Sequence, residues 1–388
     1  MSVAKNKFNP HNLRPIFIMK LTITGFSNSG KTTVFNALTG LNLPTTTYPT
    51  LISADTEPHT GVVKIPDARI DRLSSIYKPK KTTRATVEYI DYVGITSGGD
   101  ASQNLKVFNL IKDVDAIVHV VRAFEDESII HPWDNINPKR DVISFEAELI
   151  LGDLEFVEKR LQKIEEQAKK GKKQDEADRH LLMKCKKALE EEISLRNLEF
   201  NEEEKRQMFA YQFLSTMPEI IALNIGEKDI DSEKVKNFQN EIEAYFKNLG
   251  QSSIPPVIAL CGKIEMEIAQ LPGDEAKAFL DDLGIDEPAM NRLCRISYDA
   301  LGLISFFTVG EDEVRAWTIK KETSAHQAAG KIHSDIERGF IRAEVVSYDD
   351  FVLSGEDMIR VKEKGLFRLE GKTYPVKDGD IINFKFNV

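Results

Sequence analysis

The sequence predicts an α/β protein whose sheet domain is interrupted by a helical hairpin and followed by a smaller α+β module. Three observations carry that expectation. Short apolar, strand-like runs alternate with helical patterns as far as Leu260. A heptad-patterned stretch between Asp141 and Tyr211 breaks the alternation. Short strands and turns take over after Gly302. Strands that alternate with helices imply parallel pairing, because a parallel neighbour is reached only through a long crossover.

The strand candidates of the sheet domain are residues 17–24, 62–65, 86–91, 116–121, 219–223 and 256–260. In the interruption, Ile150, Leu154, Val157, Leu161 and Ile164 recur every three or four residues, one apolar seam on one helix. A polar turn around Gly171 follows, and a second helix carries Leu182, Cys185, Leu189 and Ile193. The two read as an antiparallel hairpin. Asn201 with Glu204 has the spacing of a capping box and opens the helix that leads back to the sheet. In the C-terminal module, strands are expected at residues 313–319, 340–346, 366–369 and 381–386, with one helix over 324–338. The expected boundaries are a flexible tail at 1–15, a first sheet segment at 16–140, the arm at 141–210, a second sheet segment at 211–301 and the terminal module at 302–388.

Composition narrows the function. The 388 residues carry 62 acidic against 52 basic side chains, net −10, which argues against bulk electrostatic capture of nucleic acid or anionic membrane. With 41% hydrophobic residues the chain has enough apolar material for sizeable cores, so global disorder is excluded. Cys185, Cys261 and Cys294 lie far apart without a C-x-x-C pair, so neither a disulfide framework nor a zinc pattern is present. The apolar stretch at 16–23 is broken by Lys20 and nothing reads as a membrane span, so a cytoplasmic protein without membrane attachment is expected.

The most informative segment is Gly25-Phe-Ser-Asn-Ser-Gly-Lys31-Thr32, which fits G-x-x-x-x-G-K-[ST] between a strand and a helix. Glycines let backbone N–H groups turn onto phosphate oxygens, Lys31 sets a cation between the β- and γ-phosphates, and the Thr32 hydroxyl can ligate Mg²⁺. Asn28, Ser29, Gly30, Lys31, Thr32 and Thr33 are therefore the candidate phosphate-binding residues. After the strand 86–91 comes Asp91-Tyr-Val-Gly94, a D-x-x-G in which the Asp holds Mg²⁺ through water and the Gly N–H senses the γ-phosphate. Lys31 and Gly94 are accordingly the candidate catalytic groups. Ile95 stands where small GTPases carry a water-orienting Gln, and an aliphatic side chain cannot position water. The strand ending in Asn224-Ile225-Gly-Glu227 occupies the place of N-K-x-D. Asn224 is expected to pair with purine N7, Ile225 to pack on the ring, and Glu227 to weaken guanine-specific geometry because it is one methylene longer than Asp. The loop Cys261-Gly-Lys-Ile264 is a weaker candidate for completing the base pocket.

Together with the inserted hairpin and the C-terminal segments Val314-Arg-Ala-Trp-Thr-Ile319, Gly339-Phe-Ile-Arg-Ala-Glu-Val345 and Phe384-Lys-Phe-Asn-Val388, these motifs resemble the YchF-type Obg-like ATPases, P-loop proteins of the translation-factor-related GTPase class. The resemblance implies a Ras-like nucleotide-binding domain, a coiled-coil arm and a terminal TGS domain of β-grasp fold. It implies ATP preferred over GTP through N-x-x-E, Mg²⁺ as cofactor, slow hydrolysis without a catalytic Gln, and association with the ribosome or its RNA. A monomer is expected. The chain departs from the family pattern in its phosphate loop, where Ser27, Ser29 and Thr32 replace Pro, Val and Ser. It departs again in the first switch, where the Mg²⁺-binding Thr falls on Ile52. Ser53, Thr50 or Thr56 can take that place after a local shift, and Ser53 is the candidate metal ligand beside Thr32 and Asp91.

Other residues read more plainly. Lys169, Lys170, Lys172 and Lys173 at the hairpin tip suit RNA phosphates, though a solvated turn is the simpler reading. His119 reads as a satisfied sheet residue, and His59 as a bystander of the variable switch. Lys78, Lys80, Lys81 and Arg84 read as a solvated loop, and Phe306, Phe307 and Trp317 as core.

Overall fold

The computed structural model describes residues 19–45, 58–92, 94–95, 101–170, 176–250 and 254–387. In chain order the elements begin with β1 (Lys20–Thr24), α1 (Lys31–Thr39), β2 (His59–Lys64), α2 (Ala68–Tyr77), β3 (Lys81–Thr83), β4 (Thr86–Asp91), α3 (Ala101–Leu110) and β5 (Ala116–Ala123). They continue with α4 (Pro138–Lys169), α5 (Glu176–Glu190), α6 (Glu202–Tyr211), β6 (Glu219–Ile225), α7 (Glu233–Asn248), β7 (Val257–Leu260), α8 (Gly262–Gln270), α9 (Gly273–Asp282) and α10 (Ala289–Ala300). The last part holds β8 (Leu303–Thr308), β9 (Glu313–Lys320), α11 (Ala325–Ile332), α12 (Ser334–Arg338), β10 (Phe340–Ser347), α13 (Tyr348–Leu353), α14 (Met358–Glu363), β11 (Arg368–Glu370) and β12 (Asp380–Phe386).

Contacts divide the chain into two units. One is built from Lys20–Val63 and Glu88–Ala300, the other from Lys64–Val87 and Leu301–Val388. The segment 64–87, grouped by linear order with the first sheet, thus clusters with the C-terminal module. Its place there has a physical basis. Strand β3 pairs in parallel with β9, the Arg69 guanidinium donates to Asp378 at 2.7 Å, and Arg72 donates to Glu356 at 2.7 Å.

The first unit holds a six-stranded sheet in the order β2-β4-β1-β5-β6-β7. The pairs β1–β4, β1–β5, β5–β6 and β6–β7 are all parallel. Every residue of β5 and β6 is buried, as a parallel sheet covered on both faces requires. The phosphate-loop candidate follows the C-terminal end of β1, the D-x-x-G that of β4 and the N-x-x-E that of β6, so three motifs far apart in sequence open at one edge of one sheet.

Helix α4 has 32 residues, so it spans about 48 Å. Asn137 caps it by accepting from the Arg140 N–H at 3.0 Å. Its seam residues Ile150, Val157, Leu161 and Ile164 bury against Leu181, Leu182, Cys185 and Leu189 of α5, with Leu154 partly buried beside them. Ile193 is not on that helix. Helix α5 ends at Glu190, Glu192 takes a left-handed φ of 58°, and the Ile193 side chain is left 36% exposed. The Asn201–Glu204 capping box forms as the spacing predicts. Lys169 closes α4 and Lys170 follows it, while Gly171, Lys172 and Lys173 lie outside the described residues.

At its root, α4 enters a buried polar network. Glu146 accepts from the Ser194 hydroxyl at 2.7 Å and lies 3.1 Å from the Arg196 guanidinium. Arg196 also donates to Glu219 at 2.9 Å, and Glu219 accepts from His119 Nδ1 at 2.9 Å. Burial pushes the Glu146 carboxyl up against the pull of Arg196. Burial pushes the His119 imidazole down to about 3, so it is neutral at physiological pH. His119 is therefore a neutral sheet residue, partnered at Nδ1, buried without a partner at Nε2 among the described residues, and stacked on Phe145 at 3.9 Å.

The second unit holds a mixed sheet in the order β11-β10-β12-β8-β9-β3. Phe306, Ala328, Ala329, Phe340, Ala343 and Val345 form its core, with Trp317 packed half-exposed at the margin. Phe306 and Phe307 are core residues as expected, and they belong to β8, a strand absent from the sequence-based expectation. The single helix expected over 324–338 is two, because His333 adopts an extended backbone (φ −163°, ψ 143°) between α11 and α12. Helices α13 and α14 were not foreseen at all. Lys80 pairs with Asp312, Lys81 with Glu313 and Arg84 with Asp71, so these cations are matched inside their own unit.

Among the described residues, Arg196 is the cation that bridges the Glu146 and Glu219 side chains. Removing one partner of a buried ion pair leaves an uncompensated charge and costs about 3–5 kcal/mol. Arg196→Ala should lower the unfolding free energy by that amount in urea denaturation at neutral pH, whereas a loss below about 1 kcal/mol would contradict the description of the network.

Candidate nucleotide site

The loop between β1 and α1 is shaped by the backbone before any side chain acts. Gly30 caps α1 with φ 90°, and a Cβ there would stand 2.1 Å from Asn224 Nδ2, so glycine is required for both torsion and space. Lys31 then begins the helix. Its ammonium donates to the Phe26 carbonyl at 2.8 Å, and the residue is 8% exposed. Burial lowers its pKa to about 8, against the opposing field of Asp91. A cation held this way is under-compensated, and an anion entering the loop relieves it.

Thr32 and Asp91 meet as the motifs predict. The Thr32 hydroxyl donates to Asp91 Oδ2 at 2.8 Å, and Asp91 Oδ1 is buried without a hydrogen-bond partner among the described residues. Burial raises the Asp91 pKa, while the Thr32 hydrogen bond, Lys31 and His59 pull the other way. His59 is an exposed residue at the start of β2, and its field reaches Asp91. Gly94 lies against Lys31, where a Cβ would come within 2.4 Å of the ammonium nitrogen and 2.9 Å of the Gly25 carbonyl oxygen. Ile95 is fully buried. It bridges onto Phe26, with its N–H donating to the Gly25 carbonyl at 3.1 Å and its carbonyl accepting from the Ser27 N–H at 3.1 Å. Its side chain joins the core of Phe26, Ile90 and Phe145 and orients nothing in the site.

Several candidates are also engaged within the protein. The Asn224 side chain, expected at purine N7, makes two internal hydrogen bonds and keeps a second Nδ2 hydrogen for a base. Its Nδ2 donates to the Ser29 carbonyl at 3.0 Å, and its Oδ1 accepts from the Gly262 N–H at 3.0 Å. It clasps the phosphate loop to the start of α8. Ile225 packs into the core with Ile221 and Leu223, because those positions share one face of β6 and Asn224 has the other. The Asn28 side chain donates to the Ile130 carbonyl at 3.0 Å, and its backbone has a left-handed φ of 62°. Glu227 is half-exposed and meets Lys263 at 2.7 Å. The Ser29 hydroxyl is buried without a partner among the described residues, and Thr33 is half-buried beside Gly262. Ser53, with Ile52, Thr50 and Thr56, lies outside the described residues.

Two neighbours were missed by the sequence reading. Phe124, just past β5, stands beside Gly30 and Gly226, with the Arg122 guanidinium 4.6 Å from its ring centroid. An aromatic at a strand's C-terminal end was the available signal. The Phe26 carbonyl that receives Lys31 is backbone and left no signal in residue type. Lys263 falls in the segment flagged only weakly.

A glycine loop at a helix N-terminus, a buried lysine within it and a Thr–Asp pair beside it define a P-loop nucleotide-binding domain of the GTPase type. Residues 20–170 match the family model described as "50S ribosome-binding GTPase", and residues 303–387 match the YchF-type GTPase C-terminal model, described as a protein of unknown function. The chain belongs to the YchF family. It is 41% identical over 368 residues to the "Ribosome-binding ATPase YchF" of Bacillus subtilis, covering 94% of this chain and 98% of that one. It is 39% identical over 372 residues to the protein of the same name from Escherichia coli O157:H7, covering 95% and 99%. Among solved structures, the Schizosaccharomyces pombe YchF GTPase superposes with a TM-score of 0.77 at 29% identity, covering 96% of this chain and 99% of that one.

Gly94→Ala should weaken nucleotide affinity by about tenfold or more, since the methyl group and the ammonium cannot share the space; calorimetric titration reads the change. The buried lysine also sets a pH dependence. Lys31 in the free protein loses its proton above about pH 8, and phosphate binding favours the charged form. Affinity should therefore hold below pH 8 and fall above it, by at most about tenfold per unit. An affinity flat to pH 9.5 would contradict the burial of this group.

Proposed function

We propose that this chain is a slow ATP hydrolase of the YchF kind, cleaving the β–γ phosphoanhydride with Mg²⁺ and working at the ribosome in the cytoplasm. The observation that carries the reading is the under-compensated Lys31 ammonium inside the glycine loop, next to an Asp91 oxygen that lacks a partner among the described residues. Lys31 takes the charge that builds on the bridging and γ-phosphate oxygens, and the N–H groups of residues 28–32 hold the phosphates in line. The hydroxyl of Thr32 and the carboxylate of Asp91 are hard oxygen donors that fit Mg²⁺, with Ser53 as a further donor. Bound there, Mg²⁺ neutralises charge on the β- and γ-phosphate oxygens. Gly94, which lies against Lys31, would read the γ-phosphate through its N–H.

Hydrolysis is slow on this reading because Ile95, in the Gln position, is sealed in the core. Water must be placed by backbone or by a partner, so intrinsic turnover is on the order of 10⁻³ s⁻¹ or below, and an added arginine would raise it by roughly 10³ to 10⁵. The ribosome is the partner supported by the names of the full-length relatives. Among the described residues no helix is long and apolar enough to cross a membrane, and we take the protein to act as a monomer. The buried Ile95 favours one second reading, a nucleotide-gated binding module with negligible chemistry.

Two measurements test this. Calorimetry should give ATP at least tenfold tighter than GTP, and GTP tighter than ATP would overturn the ATP assignment. Single-turnover phosphate release should rise above background when ribosomes are added, and no release would leave the binding-module reading in its place.

A further inference from the structure

The base end of the site contains an ion pair that the phosphate chemistry does not use. Asn224 ties the phosphate loop to the Gly262 N–H, which fixes the backbone at the start of α8 against the end of β6. The next residue, Lys263, reaches across that junction and places its ammonium 2.7 Å from Glu227 Oε1. Glu227 stands three residues after Asn224, where a guanine-reading carboxylate would stand. Guanine presents two N–H donors, N1 and the exocyclic amine, to a free carboxylate at this place, whereas adenine presents one exocyclic amine and no N1–H. A carboxylate already engaged by an ammonium is a poorer acceptor for both bases, and guanine forfeits more because it would have formed two bonds.

We propose that Lys263 is a specificity-determining residue: by engaging Glu227 it withholds the acceptor that guanine needs and so tilts the site toward adenine nucleotides. This deepens the ATP reading above and rests on the N-x-x-E segment facing the base. On this proposal the extra methylene of Glu227 is not the whole cause of the preference, since the carboxylate would be free to accept from guanine once its partner is gone. The hydrogen bond to Glu227 raises the Lys263 pKa, so the ammonium stays charged across the physiological range. Both side chains are exposed, 67% for Lys263 and 49% for Glu227. An exposed pair is weak and its release correspondingly modest, and substitution there leaves the core untouched.

The test is a double-mutant cycle read by calorimetry with non-hydrolysable ATP and GTP analogues and Mg²⁺, on the full chain. Lys263→Met should tighten the GTP analogue by about three- to fivefold relative to the ATP analogue. Glu227→Gln with Lys263→Met should show none of that gain, because the freed acceptor is no longer a carboxylate. An unchanged GTP:ATP ratio in Lys263→Met overturns the proposal, and so does an equal gain in the double variant. If the parent prefers GTP yet Lys263→Met still shifts the ratio toward GTP, the ATP assignment falls and Lys263 as a specificity element stands. If the parent binds neither analogue, both fall.

Discussion

Burial of one ammonium group organises the site. Lys31 starts a helix inside the protein, and its neighbours offer it the Phe26 carbonyl and the more distant field of Asp91. That is poor compensation for a desolvated cation, and its pKa near 8 records the deficit. The protein sustains it because the surrounding backbone is fixed independently. Asn224 holds the Ser29 carbonyl, Ile95 brackets Gly25 and Ser27, and Asn28 reaches the Ile130 carbonyl. A loop pinned at these points cannot fold the lysine out to water, and an anion is the remaining remedy. Triphosphate binding is in this sense a consequence of how the loop is fastened.

The fastening reaches beyond the loop. Phe26 packs edge-on to Trp133 at 4.7 Å and near Phe145 on the first turns of α4, and His119 stacks on the same Phe145. The root of the long helix is thus part of the wall behind the phosphate loop, joined through His119 and Glu219 to Arg196 and Glu146. Such a buried network is weak evidence for stability and better evidence for a unique arrangement. It holds the arm and the nucleotide loop in one geometry.

Much of this was legible in the sequence where local rules dominate. The strand 86–91, the helix starting at Lys31, the α4 seam and the Asn201–Glu204 box all form where periodicity and cap chemistry put them. What escaped depends on contacts between distant segments. Three residues, Lys81–Thr83, become a strand only because β9 offers an edge 230 or so positions later, about which a local window is silent. Asn224 carries the residue type for base recognition, and nothing in its type announces the clasp that its buried amide makes between the Ser29 carbonyl and the Gly262 N–H. Ile225 was read as a surface for the ring, but the pleat of a strand buried on both faces turned it into the core. The Lys263–Glu227 pair joins the first turn of α8 to the turn after β6 and has no signature in either segment.

The central claim is that a triphosphate binds because it compensates the Lys31 ammonium. Calorimetric titration of Lys31→Ala with a non-hydrolysable ATP analogue and Mg²⁺ tests it most directly, with circular dichroism confirming that the fold is intact. The account predicts affinity weakened at least a hundredfold. A folded variant that retains the analogue as tightly as the parent would contradict it.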